Sequence, residues 1–192
     1  MTRIFLRKPP QQHLQRQLNP GDALSESIHS VVANDPPLHH VLSGEQPLVL
    51  IFVRHSGCPF AERDVKAARR AQAEYPQARY CLVTHGDQAL TERWLQQIGG
   101  VGEVLWYHDA ERRLHGAFGL GYSSAWHFMG WRSLLGVIRL WPQGIRNRIA
   151  TGTRWPKSGV FVVTHQRLIW CRIASSAEQN LLPDGSVFKE GA

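Results

Sequence analysis

The chain has 192 residues, 43% of them hydrophobic, and a formal net charge of +7. This length favours one domain with modest additions, and the apolar fraction is ample for a core. No run approaches the roughly 18–20 apolar residues that cross a membrane, and residues 1–17 lack the apolar stretch of a signal peptide. We therefore expect a cytoplasmic protein.

The cysteine content is low and odd. The sequence contains Cys58, Cys81 and Cys171, which does not fit a disulfide scaffold and suits a reducing compartment. No Cys-x-x-Cys pair or zinc-type spacing of Cys and His occurs. We expect no structural metal and no cofactor.

The positive charge is unevenly distributed. From Arg112 to Ala177 there are ten Lys or Arg residues and no Asp or Glu. Such asymmetry attracts nucleic acid, anionic lipid or an acidic partner, or it simply keeps a surface soluble. No recognised nucleic-acid-binding module is visible, so we expect no specific nucleic-acid partner.

The chain begins with an extension. Residues 1–46 are rich in Gln, Pro, Asn and Ser, with short helices predicted at Ala23–Ala33 and within 37–46. After Pro47, the apolar run Leu48–Arg54 is typical of a buried central strand in a parallel or mixed sheet. Residues 47–192 are therefore predicted to form the main domain.

The next segment reads as a helix. Pro59 suits the first helical turn, because its missing N–H costs nothing there. Pro76 ends the helix, and Glu62 with Lys66 is an i, i+4 pair predicted on its outer face. Apolar residues recur at helical spacing in between: Ala61, Val65, Ala68 and Tyr75.

Further elements follow with clear breaks. They are a strand at Arg79–Thr84, a helix at Thr91–Ile98, a short strand at Val104–Tyr107, an amphipathic helix at Ala125–Arg148 broken near Pro142, a hairpin of Gly159–Thr164 and Arg167–Ile173, and a short helix from Ser175 or Ser176 to Asn180. A βαβ unit followed by a hairpin predicts an α/β, thioredoxin-like fold. Its central mixed sheet is flanked by helices, with a helical insert at about 124–150 between the second and third main strands.

Cys58 is the most informative residue. It lies between the predicted strand and helix, where backbone N–H groups and the helix dipole favour the thiolate. A buried packing thiol is the alternative. His55 could stabilise the thiolate or relay its proton, and Arg54 could supply positive charge and bind a peroxide oxygen, although each could equally be structural.

Residues 53–61, Val-Arg-His-Ser-Gly-Cys-Pro-Phe-Ala, resemble the active-site segment of the peroxiredoxin-like group within the AhpC/TSA superfamily. Three further stretches are similar to that group: His108–Leu120, Trp131–Arg148 and Ser158–Val163 with the hairpin after it. The resemblance implies a thioredoxin fold. It also implies a thiol-dependent antioxidant or oxidoreductase in which Cys58 attacks a hydroperoxide or a disulfide.

The same resemblance extends to neighbouring positions and has two departures. It implies that Pro59 and Arg154 contact the substrate; a structural role is the alternative for Arg154. Ala61 occupies the position of a second, resolving cysteine, and His55 replaces a Thr. Regeneration then requires an external thiol such as glutathione, or Cys81 or Cys171 if either comes close, although burial in strands argues against both.

The insert leaves a choice open. Aromatic residues between Trp126 and Trp141 recur at helical spacing and would usually pack on a core. Alternatively they form a dimer interface or lie on an anionic membrane surface. The alternative function is therefore a non-catalytic binding or scaffold protein of thioredoxin fold that uses this basic, aromatic insert.

Overall fold

The computed structural model describes residues 8, 10, 11, 13–124 and 131–188. Helices and strands are numbered here along those ranges. They are α1 (Glu26–Val32), α2 (Pro36–Ser43), β1 (Leu48–Phe52), α3 (Pro59–Glu74), β2 (Arg79–Thr84), α4 (Gln88–Gln97), β3 (Leu105–His108), α5 (Arg113–Ala117), α6 (Trp131–Leu140), β4 (Gly159–Thr164) and β5 (Arg167–Ile173).

The five strands form one mixed sheet in the order β3-β2-β1-β4-β5. Strands β1, β2 and β3 are parallel, whereas β4 runs antiparallel to β1, and β5 antiparallel to β4. The β4–β5 hairpin turns through His165 and Gln166, both with positive φ, as a two-residue turn that matches strand twist requires. The predicted thioredoxin-like α/β fold is confirmed.

Strand β1 is buried along its whole length, because both faces of the sheet are covered. On one face, Val49 and Ile51 join a core that includes residues of α3 and α4. On the other face, Leu50 and Phe52 join a second core that includes residues of α1, α2 and α5. The alternation along the strand thus separates two cores.

The N-terminal segment contributes to the second core instead of lying apart from it. Ile28 and Val32 of α1 and Leu38 and Leu42 of α2 are buried there. Helix α2 begins where Asp35 accepts a hydrogen bond from the Leu38 N–H at 3.0 Å. Both short helices predicted in the extension are present, and they cover the sheet face opposite α3.

Some predicted elements differ from the structure. Residues 175–180 form turns and not a helix, because the Arg63 guanidinium binds the Glu178 and Gln179 carbonyls, both at 2.6 Å. The strand predicted at Val104–Tyr107 is a full partner of β2. The insert therefore follows the third strand and not the second.

The long helix predicted at Ala125–Arg148 is shorter in the structure. Helix α6 ends at Leu140 and continues as a 3-10 turn over Trp141–Gln143. Pro142 lies in that turn, where a missing N–H is tolerated. Residues 125–130, including Trp126, lie outside the described residues.

Candidate functional site

Cys58 occupies the turn between β1 and α3. It is the N-cap residue of α3, and its N–H is bonded to the His55 carbonyl at 3.4 Å. The preceding Gly57 has a φ of +87°, a conformation that side chains disfavour. This tight turn places the thiol at the carboxyl end of the parallel strand and the start of the helix, as the sequence predicts.

The thiol lines a cavity of about 320 Å³. The cavity brings together all five residues singled out from the sequence: Arg54, His55, Cys58, Pro59 and Arg154. Cys58 is only 3% exposed, yet it forms part of this cavity wall. The thiol therefore belongs both to the buried core and to the lining of this cavity.

Helix α6 contributes Ser133, Leu134 and Val137 to the lining of this cavity. It packs closely there, because a Cβ on Gly136 would lie 2.9 Å from Cε1 of Phe60. The insert predicted from the sequence thus covers the thiol. From α6 the cavity receives one polar side chain, Ser133, and two apolar ones, Leu134 and Val137.

The Arg54 side chain points to the thiol. Its Nη2 lies 3.7 Å from Sγ of Cys58, within reach of a charge-assisted hydrogen bond to sulfur. The Arg54 backbone carbonyl is held by His85, whose Nε2–H donates to it at 2.6 Å. Burial, together with the nearby His115, holds the pKa of His85 well below 6.5, so this ring is a neutral donor.

His55 is also buried and neutral. Burial lowers its pKa from 6.5 to about 3, with a further contribution from the Arg54 guanidinium. Its Nδ1–H donates to the Ser56 carbonyl at 2.9 Å. Near neutral pH the positive charge of the cavity therefore belongs to Arg54 and Arg154, and His55 contributes an uncharged ring.

A short segment after the insert closes over the turn, and we call residues 148–151 the latch loop. The Arg148 N–H donates to the Gly57 carbonyl at 3.0 Å, and the Thr151 N–H donates to the Ser56 carbonyl at 3.3 Å. The Thr151 carbonyl in turn accepts from the Asp87 N–H at 2.9 Å. Backbone hydrogen bonds thus join the cysteine turn, the insert and the start of α4.

Side chains reinforce the latch loop. The Ser56 hydroxyl donates a hydrogen bond to Thr91 Oγ1 at 3.2 Å. Thr91 Oγ1 in turn lies 3.3 Å from the Thr151 hydroxyl. Glu62 is 2% exposed and pairs with Lys66 at 2.8 Å and with Arg148 at 3.5 Å. The predicted Glu62–Lys66 pair is present, but its position on an outer face was wrong, because Arg148 and the latch loop cover the carboxylate.

The other two cysteines lie on the far side of the sheet from Cys58. Cys58 belongs to the core between the sheet and α3, whereas Cys81 belongs to the opposite core and Cys171 packs against that core. Burial raises the pKa of both thiols. Ala61 is buried one turn along α3 and offers no sulfur.

No protein-family model and no curated protein sequence matches the chain. Its backbone does match solved structures. A PrxQ cysteine-to-serine mutant from Xylella fastidiosa aligns with a TM-score of 0.54 and 11% identity over 92% of this chain and 95% of that chain. The chain has a thioredoxin-like fold.

Two further structures agree with that fold. A peroxiredoxin-like protein from Aquifex aeolicus gives a TM-score of 0.52 and 13% identity over 77% of this chain and 71% of that chain. The peroxidoxin BcpB from Mycobacterium tuberculosis gives a TM-score of 0.51 and 11% identity over 91% of this chain and 94% of that chain. At such identities the likeness shows a shared backbone fold and no more.

Sequence reasoning missed several residues around the thiol. His85 directly follows β2, beside the end of β1, and the carboxyl ends of adjacent parallel strands meet at one sheet edge. That rule could have pointed to His85. Thr151 and Arg148 reach the turn only through the fold of the insert, and no local pattern marks them.

Proposed function

We propose that this protein is a thiol-dependent peroxidase in which Cys58 is the peroxide-reacting residue. The observation that carries the proposal is the position of this thiol: a helix start, a cavity wall, and an Arg54 guanidinium 3.7 Å from the sulfur. Reactive cysteines of other proteins occur in such surroundings, at helix starts and beside cations, and the thiolate is their nucleophile. The backbone neighbours include a thiol peroxidase from Chromobacterium violaceum, which supports the same chemistry.

The proposed reaction has two parts. The Cys58 thiolate attacks the terminal oxygen of a hydroperoxide, so that an S–O bond forms, the O–O bond breaks and an alcohol leaves after protonation. Arg54 stabilises the charge that develops on the oxygens, and Arg154 adds positive charge to the same cavity. Cys58 becomes a sulfenic acid, and the peroxide is reduced.

An external thiol then regenerates Cys58. Its sulfur attacks the sulfenic acid and releases water, which leaves a mixed disulfide, and a second thiol frees Cys58 and leaves as a small disulfide. The placement of Cys81 and Cys171 on the other side of the sheet supports this outside route. A disulfide would serve as substrate by the same attack on sulfur.

The test is peroxide consumption by the full chain with dithiothreitol as reductant. Wild-type protein should consume hydrogen peroxide or an alkyl hydroperoxide and form a dimedone adduct at Cys58, detected by mass spectrometry. Cys58→Ser should lose both, and Cys171→Ser should keep both. A wild-type protein without an adduct or turnover at neutral pH would refute the proposal.

A second candidate is a non-catalytic binding protein of the same fold. It is favoured by the solvent-exposed apolar side chains of α6, which packing does not explain. In that case Cys58→Ser would leave the biological activity of the protein intact, whereas substitutions on α6 would remove it.

A further inference from the structure

Helix α6 exposes a row of large apolar side chains to solvent. We call this row the apolar stripe: Trp131, Leu134, Leu135, Ile138 and, in the following 3-10 turn, Trp141. Their exposed fractions run from 42% to 68%. Steps of three and four residues place them along one side of the helix. Soluble proteins rarely leave such a contiguous set uncovered.

The orientation of α6 is fixed by its other side. Ser133 and Leu140 are buried, and Gly136 lies against Phe60 and Glu178. The side facing the domain is thus narrow and partly built from small residues, while bulky apolar residues face outward. This is the reverse of an ordinary surface helix, whose apolar side faces the core.

Exposed basic residues lie on and just after the helix that carries the stripe. Arg139 on α6 and Arg146, which follows the 3-10 turn, are exposed. No acidic residue occurs between Arg112 and Ala177, and Glu178 lies against Gly136, on the side of α6 that faces the domain. A second copy facing this surface through a two-fold axis would set like charges against each other. A negatively charged surface would complement them.

We propose that the apolar stripe docks α6 on an anionic lipid bilayer, with the helix lying in the plane of the headgroups. Its tryptophans stand at the two ends and its aliphatic residues between them. That order suits an interfacial helix, since indole rings prefer the headgroup region. No helix in the described ranges is long and apolar enough to cross a bilayer, and this docking does not need one.

Docking would also place the Cys58 cavity at the lipid surface. Leu134 belongs to the apolar stripe and lines that cavity as well. The proposal is nevertheless independent of peroxide chemistry, because it concerns only the outer side of α6. Cys58→Ser should bind vesicles as wild-type protein does.

The experiment is vesicle co-sedimentation with the full chain. The probes are vesicles of phosphatidylcholine with phosphatidylglycerol and vesicles of phosphatidylcholine alone. Wild-type protein should bind the anionic vesicles, with weaker binding at high salt. Ile138→Asp should lower the partition coefficient about tenfold, and Arg139→Gln about fivefold. Leu90→Asp is the matched control, since Leu90 is an aliphatic residue 43% exposed on α4, and this variant should bind the vesicles as wild-type protein does.

Circular dichroism confirms that each variant is folded before it is tested. Absence of binding to anionic vesicles would overturn the proposal. So would Ile138→Asp binding as tightly as wild type, or equal binding to both vesicle types. A wild-type dimer in light scattering that Ile138→Asp turns into a monomer would assign the stripe to a second copy and would also overturn it.

Discussion

Gly57→Ala should destabilise the protein by breaking the contact between the cysteine turn and the latch loop. A Cβ at Gly57 would lie 2.3 Å from the Ile149 carbonyl oxygen, which belongs to the backbone and cannot rotate away. The φ of +87° is a second penalty for any side chain. Gly100→Ala is the matched control, since Gly100 has a φ of +74° and no atom within 4 Å of its Cβ position.

The two variants separate strain from contact. An L-residue in the left-handed region costs about 1–2 kcal/mol, and this is the whole expectation for Gly100→Ala. At Gly57 the latch loop must also move and lose its hydrogen bonds from Arg148 and Thr151, each worth about 0.5–1.5 kcal/mol. The total for Gly57→Ala is therefore about 2–5 kcal/mol.

Urea unfolding followed by circular dichroism measures both losses. Hydrogen exchange then locates them: the Arg148 and Thr151 amides should lose protection in Gly57→Ala and keep it in Gly100→Ala. Equal destabilisation of the two variants, or unchanged protection at these amides, would refute the reasoning.

Three further predictions concern the residues around the thiol. Arg54→Gln should slow oxidation of Cys58 by peroxide about 10²-fold, with partial recovery in Arg54→Lys, as measured by stopped-flow fluorescence; an unchanged rate would remove Arg54 from the proposed chemistry. Cys81→Ala and Cys171→Ser should both leave dithiothreitol-dependent turnover unchanged, because both sulfurs lie beyond the sheet; loss of turnover in either variant would show that its sulfur reaches Cys58. For His55, the pKa is depressed in the folded state, from 6.5 to about 3, so the unfolded chain takes up a proton first as the pH falls. The contribution of His55 to the free energy of unfolding should therefore be constant above pH 6.5 and should decrease as the pH falls from 6.5 toward 3. The total decrease from this residue is about 4–5 kcal/mol at most. His55→Gln should flatten that decrease in urea titrations, and an identical pH profile in the variant would contradict the assignment.

The local part of the site was predictable from the sequence. A continuous apolar run, a glycine turn and a proline at the helix start place Cys58 between β1 and α3 because each feature acts on its own neighbours. The pairing of His165 with Gln166 in the hairpin turn is of the same kind. These elements agree with the structure to within about two residues at their ends, the usual uncertainty of helix and strand boundaries.

What depends on distant parts of the chain was not predictable. The sequence predicts Glu62 as an exposed partner of Lys66, whereas in the structure Arg148 covers the Glu62 carboxylate. Helix α5 is only five residues long and contains Gly116, so its sequence shows no recognisable helical pattern of apolar residues. The turn at 175–180 forms because Arg63 reaches its carbonyls from another helix. Tertiary contacts decide each of these cases.

Because the sheet separates Cys58 from the other two sulfurs, the protein should be sensitive to permanent inactivation by excess oxidant. In the proposed cycle, oxidised Cys58 finds no internal thiol with which to form a protective bridge. Its lifetime as a sulfenic acid is set by the reductant that diffuses in. When oxidant outruns that supply, a second equivalent converts the residue to the sulfinic acid, which thiols do not reverse. The ratio of reductant to oxidant in the surroundings would then determine how many turnovers each molecule completes before it is permanently inactivated.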